Sequence, residues 1–152
     1  MLRVLFFLVA TACPAAWAGS APDACQLLTA IEASTVAGVP LALGGHAGGG
    51  ECRYYGSGGA AANALEISVK VEPDAASARA NFARWAAPAP GSSELAIVPV
   101  DNVGDQASIT RNGSSRSGIC FRRGAVLVRI GVHPGVSDSA LTAAAITMLS
   151  RM

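Results

Sequence analysis

Leu65-Glu66-Ile67-Ser68-Val69-Lys70-Val71 is the stretch whose pattern decides the fold. Apolar and polar residues alternate along it, so one face of this strand is buried and the other wet. A parallel strand is covered on both faces and reads as a continuous apolar run, so the alternation implies an antiparallel sheet. Just beyond it, Pro73 suits the first position of a helix. Within residues 74–86, Ala78, Phe82 and Trp85 recur at i, i+4 and i+7 and mark the buried stripe of that helix, which Pro88 and Pro90 end.

The C-terminal half continues in strands. Leu95 to Val100 and Gln106 to Arg111 read as strands around a turn at Val103-Gly104-Asp105, and 112–115 read as a loop. Ile119 to Arg123 and Ala125 to Val132 form a hairpin turning at Arg123-Gly124. Val126, Val128, Ile130 and Val132 share one face, which makes that strand core. A last helix, capped by Ser137 or Asp138, turns Leu141, Ala145, Met148 and Leu149 inward.

Toward the N-terminus, Glu51 to Tyr55 is a short aromatic strand, and Gly44 to Gly50 reads as a flexible glycine loop. Val39 to Leu43 is a brief strand. Thr29-Ala30-Ile31-Glu32 is a capping box opening a helix over about 30–37, with Gly38 as its stop. Asp23 caps a first turn carrying Cys25, Leu27 and Leu28. Ahead of it lie Arg3, the apolar run Val4 to Ala10, Pro14 and Ala16-Trp17-Ala18. A positive residue, a short apolar run and an A-x-A site in that order make a secretory signal peptide, cut after Ala18. The apolar run is too short for a transmembrane span of about 20 residues. A rival ending is open. Val9-Ala10-Thr11-Ala12-Cys13 is a weak lipobox, through which Cys13 would be lipidated and retained.

Residues 1–18 are therefore the expected leader and 19–152 one α+β domain. Loss of Arg3 takes the formal charge from +1 to neutrality. A neutral domain offers no electrostatic reason to bind nucleic acid, and it meets a membrane only if Cys13 carries lipid. Export places the cysteines in an oxidising compartment. Cys25 opens the first helical segment and Cys52 the first strand, so Cys25–Cys52 is the expected bridge. Cys120 is then left as a reduced, buried small hydrophobe.

Reactive constellations are weak. His46 and His133 lack a second histidine or a cysteine pair at ligand spacing, so no metal or cofactor is expected. No G-x-S-x-G elbow supports a hydrolase, and the glycine loop lacks the Lys-Ser/Thr of a P-loop. Arg122 alternates with Phe121, and Arg129 with Val128 and Ile130, so both are expected on the solvent face of the hairpin. With Arg111 or Arg116 nearby they would form a basic patch, balanced by Glu66 and Glu72. That open face is the expected ligand or partner surface.

Taken together, Cys25-Gln26-Leu27-Leu28-Thr29 with Glu32 and Gly38, Cys52 ahead of Tyr54, Val103-Gly104-Asp105-Gln106-Ala107, and Arg122-Arg123-Gly124-Ala125-Val126-Leu127-Val128 followed by a helix over 138–151 carry a resemblance. The chain resembles a family of small exported proteins and lipoproteins best known from actinobacteria and designated only as a domain of unknown function. The resemblance implies a domain like the extracellular sensors of some bacterial kinases: a curved antiparallel sheet with helices packed on one face, and the two matching cysteines bridged. It carries no catalytic residue. The expectation is a non-enzymatic periplasmic or secreted module that binds a ligand or an envelope protein. The alternatives are a lipoprotein anchored through Cys13 and a hydrolase whose residues converge only in three dimensions.

Overall fold

The computed structural model describes residues 21–46, 50–57, 64–87, 95–113 and 116–152. The leader, Cys13 with it, lies outside the described residues. In chain order the elements are α1 (Ala24–Leu27), α2 (Ala30–Ala37), β1 (Leu41–His46), β2 (Glu51–Gly56), β3 (Ala64–Val71), α3 (Ala75–Trp85), β4 (Leu95–Val100), β5 (Gln106–Asn112), β6 (Arg116–Arg123), β7 (Val126–His133) and α4 (Asp138–Leu149). The strands form one open antiparallel sheet in the order β1-β2-β3-β7-β6-β5-β4. The α+β class is as the alternating strand implied.

The register explains the core. Ile67 pairs with Ile130, Ile130 with Ile119, Ile119 with Ile109 and Ile109 with Val98, so one row of β-branched side chains crosses five strands. The four isoleucines are fully buried. Each contributes about 1.5–3 kcal/mol by leaving water. Parallel rows hold Leu65 with Val132 and Phe121 with Val128. Against this face sit Leu27, Leu28, Ala33, Leu141, Ala145 and Met148, from or beside α1, α2 and α4.

Local signals at the helix ends behave as their chemistry requires. Thr29 Oγ1 accepts the Glu32 N–H at 3.3 Å, and the Glu32 carboxylate accepts the Thr29 N–H at 2.8 Å. Gly38 closes α2 in the left-handed conformation. Ser137, not Asp138, caps α4. At α3 the cap is Asp74, whose carboxylate accepts the Ser77 N–H at 2.6 Å, so Pro73 precedes the helix rather than occupying its first position. The glycine stretch also departs from expectation. Gly44, Gly45 and His46 continue β1 through an irregularity between Leu43 and Gly45, where Gly45 takes φ +131°. Residues 47–49 lie outside the described residues.

Three helices pack on one face, as the resemblance implied; α3 lies on the other. It is the crossover that carries the chain from β3 to the far edge strand β4, and it touches β6 and β7 on the way. Ala78 and Phe82 are its buried residues, and Trp85 is half-buried.

Cys25 and Cys52 are bridged, with Cα atoms 5.0 Å apart, which joins α1 to β2. Tyr54, two residues on, donates its buried hydroxyl to the Leu28 carbonyl. Among the described residues no helix is long and apolar enough to cross a membrane.

Candidate functional site

The wet face of the sheet is the one opposite the isoleucine row. β2 presents Arg53 to it, β3 Glu66, Ser68 and Lys70, β6 Arg116, Gly118 and Cys120, and β7 Arg129 and Gly131. Helix α3 covers one end of this face and leaves the other open.

The three arginines expected there have three different fates. Arg129 is where the alternation put it: exposed, on the central strand β7. Its guanidinium carbon stands 5.8 Å from the centre of the Trp85 ring, a cation–π arrangement. Among the described residues no carboxylate lies within ion-pair distance of it.

Arg122 shares that face but is 5% exposed. Its Nη1 donates to Asp105 at 3.0 Å and to the Gly124 carbonyl at 3.2 Å, and its Nε donates to Gln106 at 2.7 Å. Asp105 also accepts the Gly124 N–H at 2.8 Å. This closed network locks the β6–β7 turn to the turn before β5. Arg122 therefore does not project to solvent, which corrects the expectation for it.

Arg111 is on the wrong side altogether. It pairs with Ser117 and is in phase with Ile109, so it belongs to the helix-covered face. Its Nε donates to Asp138 in the first turn of α4 at 2.9 Å. The alternative neighbour, Arg116, does join the wet face. Its Nη2 stands 3.5 Å from Glu66, and Arg53 Nε approaches the same carboxylate at 3.5 Å. These pairs are long and roughly half-exposed, so each is worth little. Glu72, expected to balance the arginine patch, pairs with Lys70 instead. Its carboxylate takes Lys70 Nζ at 2.8 Å and Asn81 Nδ2 at 2.6 Å, and the Lys70 hydrogen bond holds it below the usual carboxylate range.

The floor of the open end is made by a glycine pair. Gly118 and Gly131 face each other across β6 and β7. A Cβ on Gly118 would lie 2.5 Å from the Ile130 carbonyl oxygen, and one on Gly131 would lie 3.1 Å from the Arg116 guanidinium. The bare backbone at Gly131 leaves room for that guanidinium against the sheet.

Three concavities meet at Arg129. One of about 120 Å³ runs between it, Arg53, Glu66 and Arg116. One of about 180 Å³ runs past Gly118 to Thr110 and Asn112. The third, about 280 Å³, lies under α3, with Phe82, Trp85, Cys120 and Leu127 in its wall. A further hollow of about 390 Å³ lies between Phe82 and the turn around Asn102 and does not reach Arg129.

Cys120 is buried, and burial pushes its thiol up to about 12, so it serves as apolar wall rather than nucleophile. His46 and His133 belong to β1 and β7, three strand spacings or about 14 Å apart across the sheet. Among the described residues no three His, Cys, Asp or Glu side chains are grouped to hold a metal ion.

Sequence reasoning missed Trp85 as part of this site. The helical stripe predicts Trp85 as core, yet its ring lies at the groove edge beside Arg129. No family model matches the chain, and no curated protein matches it.

Proposed function

We propose that the chain is an exported, non-catalytic binding module that receives an anionic ligand, or an acidic side chain of an envelope partner, on the wet sheet face around Arg129. One observation carries this reading. The guanidinium on the central strand stands exposed beside an indole, at the meeting point of three concavities, with no carboxylate partner among the described residues. Arg111 and Arg122 are consumed by structure, so they are not part of the surface. Binding of this kind needs no bond to form or break. A charge-assisted, two-pronged contact to a carboxylate or phosphate is what a free guanidinium supplies.

Export is supported by the order of charge, apolar run and A-x-A site at the N-terminus. The Cys25–Cys52 bridge agrees with it, since such bridges persist in oxidising compartments. The resemblance to exported sensor-like domains points the same way.

The test is native mass spectrometry of the protein recovered from the envelope or the medium, beside Arg129→Glu. We expect the wild type to retain a bound species that the variant loses, on a chain beginning at Gly19. Equal retention by both, or a chain kept in the cytoplasm with Met1 intact, overturns the reading. A mass beginning at Cys13 with added acyl chains replaces a free module with a tethered one.

A further inference from the structure

The groove under α3 has a chemistry of its own. Phe82, Trp85, Leu127 and Cys120 give it an apolar wall, and the neutral thiol of Cys120 adds no charge. Four polar groups stand at its rim besides Arg129: Ser68, Lys70, Glu72 and Asn81. Lys70 and Asn81 are both committed to Glu72, at 2.8 and 2.6 Å. That leaves Arg129 as the charged group of the rim with no ion-pair partner among the described residues. An occupant must therefore put apolar surface inside and one negative charge at the mouth. Size narrows it further. The space is about 280 Å³, just below the range of about 300–1,000 Å³ typical of drug-sized sites. A second negative charge would meet Glu72 on the opposite rim.

We propose that this groove binds a small monoanionic acid with an apolar tail, its carboxylate held by Arg129 and its tail laid against Phe82, Trp85, Leu127 and Cys120. The proposal rests on the reading that the face around Arg129 is a binding surface. It adds which end of that face is used and by what class of ligand. The indole both orients the guanidinium and forms the side of the groove, so occupancy changes the surroundings of Trp85.

That supplies the experiment. The chain has two tryptophans, Trp17 and Trp85. In the exported and purified protein, carrying Trp17→Phe so that a leader left uncut adds no second indole, Trp85 is the one fluorophore of its kind. It is titrated with hexanoate, hexanamide and acetate, followed by indole emission and by backbone amide shifts. Hexanoate is expected to give a saturable change, with shifts at Trp85, Leu127 and Cys120. Hexanamide lacks the charge and acetate lacks the tail, so each should bind at least about tenfold more weakly. Arg129→Gln should cost hexanoate a similar factor, and Arg129→Lys less. Equal binding of hexanoate and hexanamide overturns the proposal, as does unchanged hexanoate affinity in Arg129→Gln. Shifts confined to Gly118, Gly131 and Arg116 also overturn it while leaving the broader face reading intact. No response to hexanoate, together with equal retention of envelope species by wild type and Arg129→Glu, overturns both.

Discussion

At the scale of single residues, the central contrast is between two arginines on one face. Strand phase placed Arg122 and Arg129 together, and the register agrees. Phase says which way a side chain leaves the sheet. It does not say what waits there, because the partners come from distant chain. Asp105 is 17 residues from Arg122, and Asp138 is 27 from Arg111. That is why the expected patch dissolved into one free guanidinium and two bound ones. Their energetics should differ accordingly. Arg122→Gln leaves Asp105 and Gln106 without their donor in a nearly closed site and should cost about 2 kcal/mol. Arg129→Gln loses an exposed cation–π contact and should cost at most about 1 kcal/mol. Urea midpoints at constant m-value measure both. A larger loss for Arg129 would make it structural and remove it from the site.

One carboxylate has a pH signature. The Arg151 guanidinium donates to both oxygens of Glu32, at 2.8 and 2.6 Å, and the Thr29 N–H donates as well. These hold the Glu32 carboxyl at about 2 against an ordinary 4.5. A depressed carboxyl stabilises the fold fully above 4.5, and that stability is lost as pH falls toward about 2. About a third of each side chain is exposed, so the pair is screened and worth about 1 kcal/mol. Glu32→Gln keeps the reciprocal hydrogen bond of the capping box and removes the charge. Thermal midpoints should show it about 3–4 °C below wild type near pH 6, with the gap closing by pH 2.

Elements were legible where their chemistry is local. The alternation of β3 and β7, the capping box of α2 and the stripe of α3 could all be read from neighbours within one or two turns. The side on which α3 packs could not. A stripe shows that a helix buries one face, not which layer receives it. That choice follows from β7 inserting beside β3, which forces the chain to cross the sheet to reach β4. The crossing is what makes a groove out of an otherwise flat wet face. The glycine floor was equally hidden, since Gly118 and Gly131 are adjacent only through the register of the hairpin. The two should respond unequally to alanine. At Gly118 the new methyl collides with backbone, the Ile130 oxygen, and unfolding measurements should show a loss of about 2–3 kcal/mol. At Gly131 it meets only the movable tip of Arg116, so stability should change by less than about 1 kcal/mol.

For the whole molecule, the question is what holds the first segment onto the sheet. Residues 23–32 offer two short helical pieces and little surface of their own. Three long-range ties fix them. The disulfide closes a separation of 27 residues, Tyr54 donates to the Leu28 carbonyl, and Arg151 donates to the Leu27 carbonyl while clamping Glu32. The bridge is the one tie that depends on the compartment. On chain-entropy grounds a closed loop of this length contributes about 3.5 kcal/mol, a large share of the 5–15 kcal/mol by which domains are usually stable. Cys52→Ala, or reductant on the wild type, should therefore lower unfolding stability by about 3 kcal/mol, and the same chain made without export should match the reduced form. Thiol counting checks the assignment independently. Native protein cut after Ala18 should react at no thiol, since Cys120 is buried with its thiol near 12. In denaturant without reductant it should show one thiol, and after reduction three. Three free thiols before any reductant would remove the bridge, and with it the structural support for export.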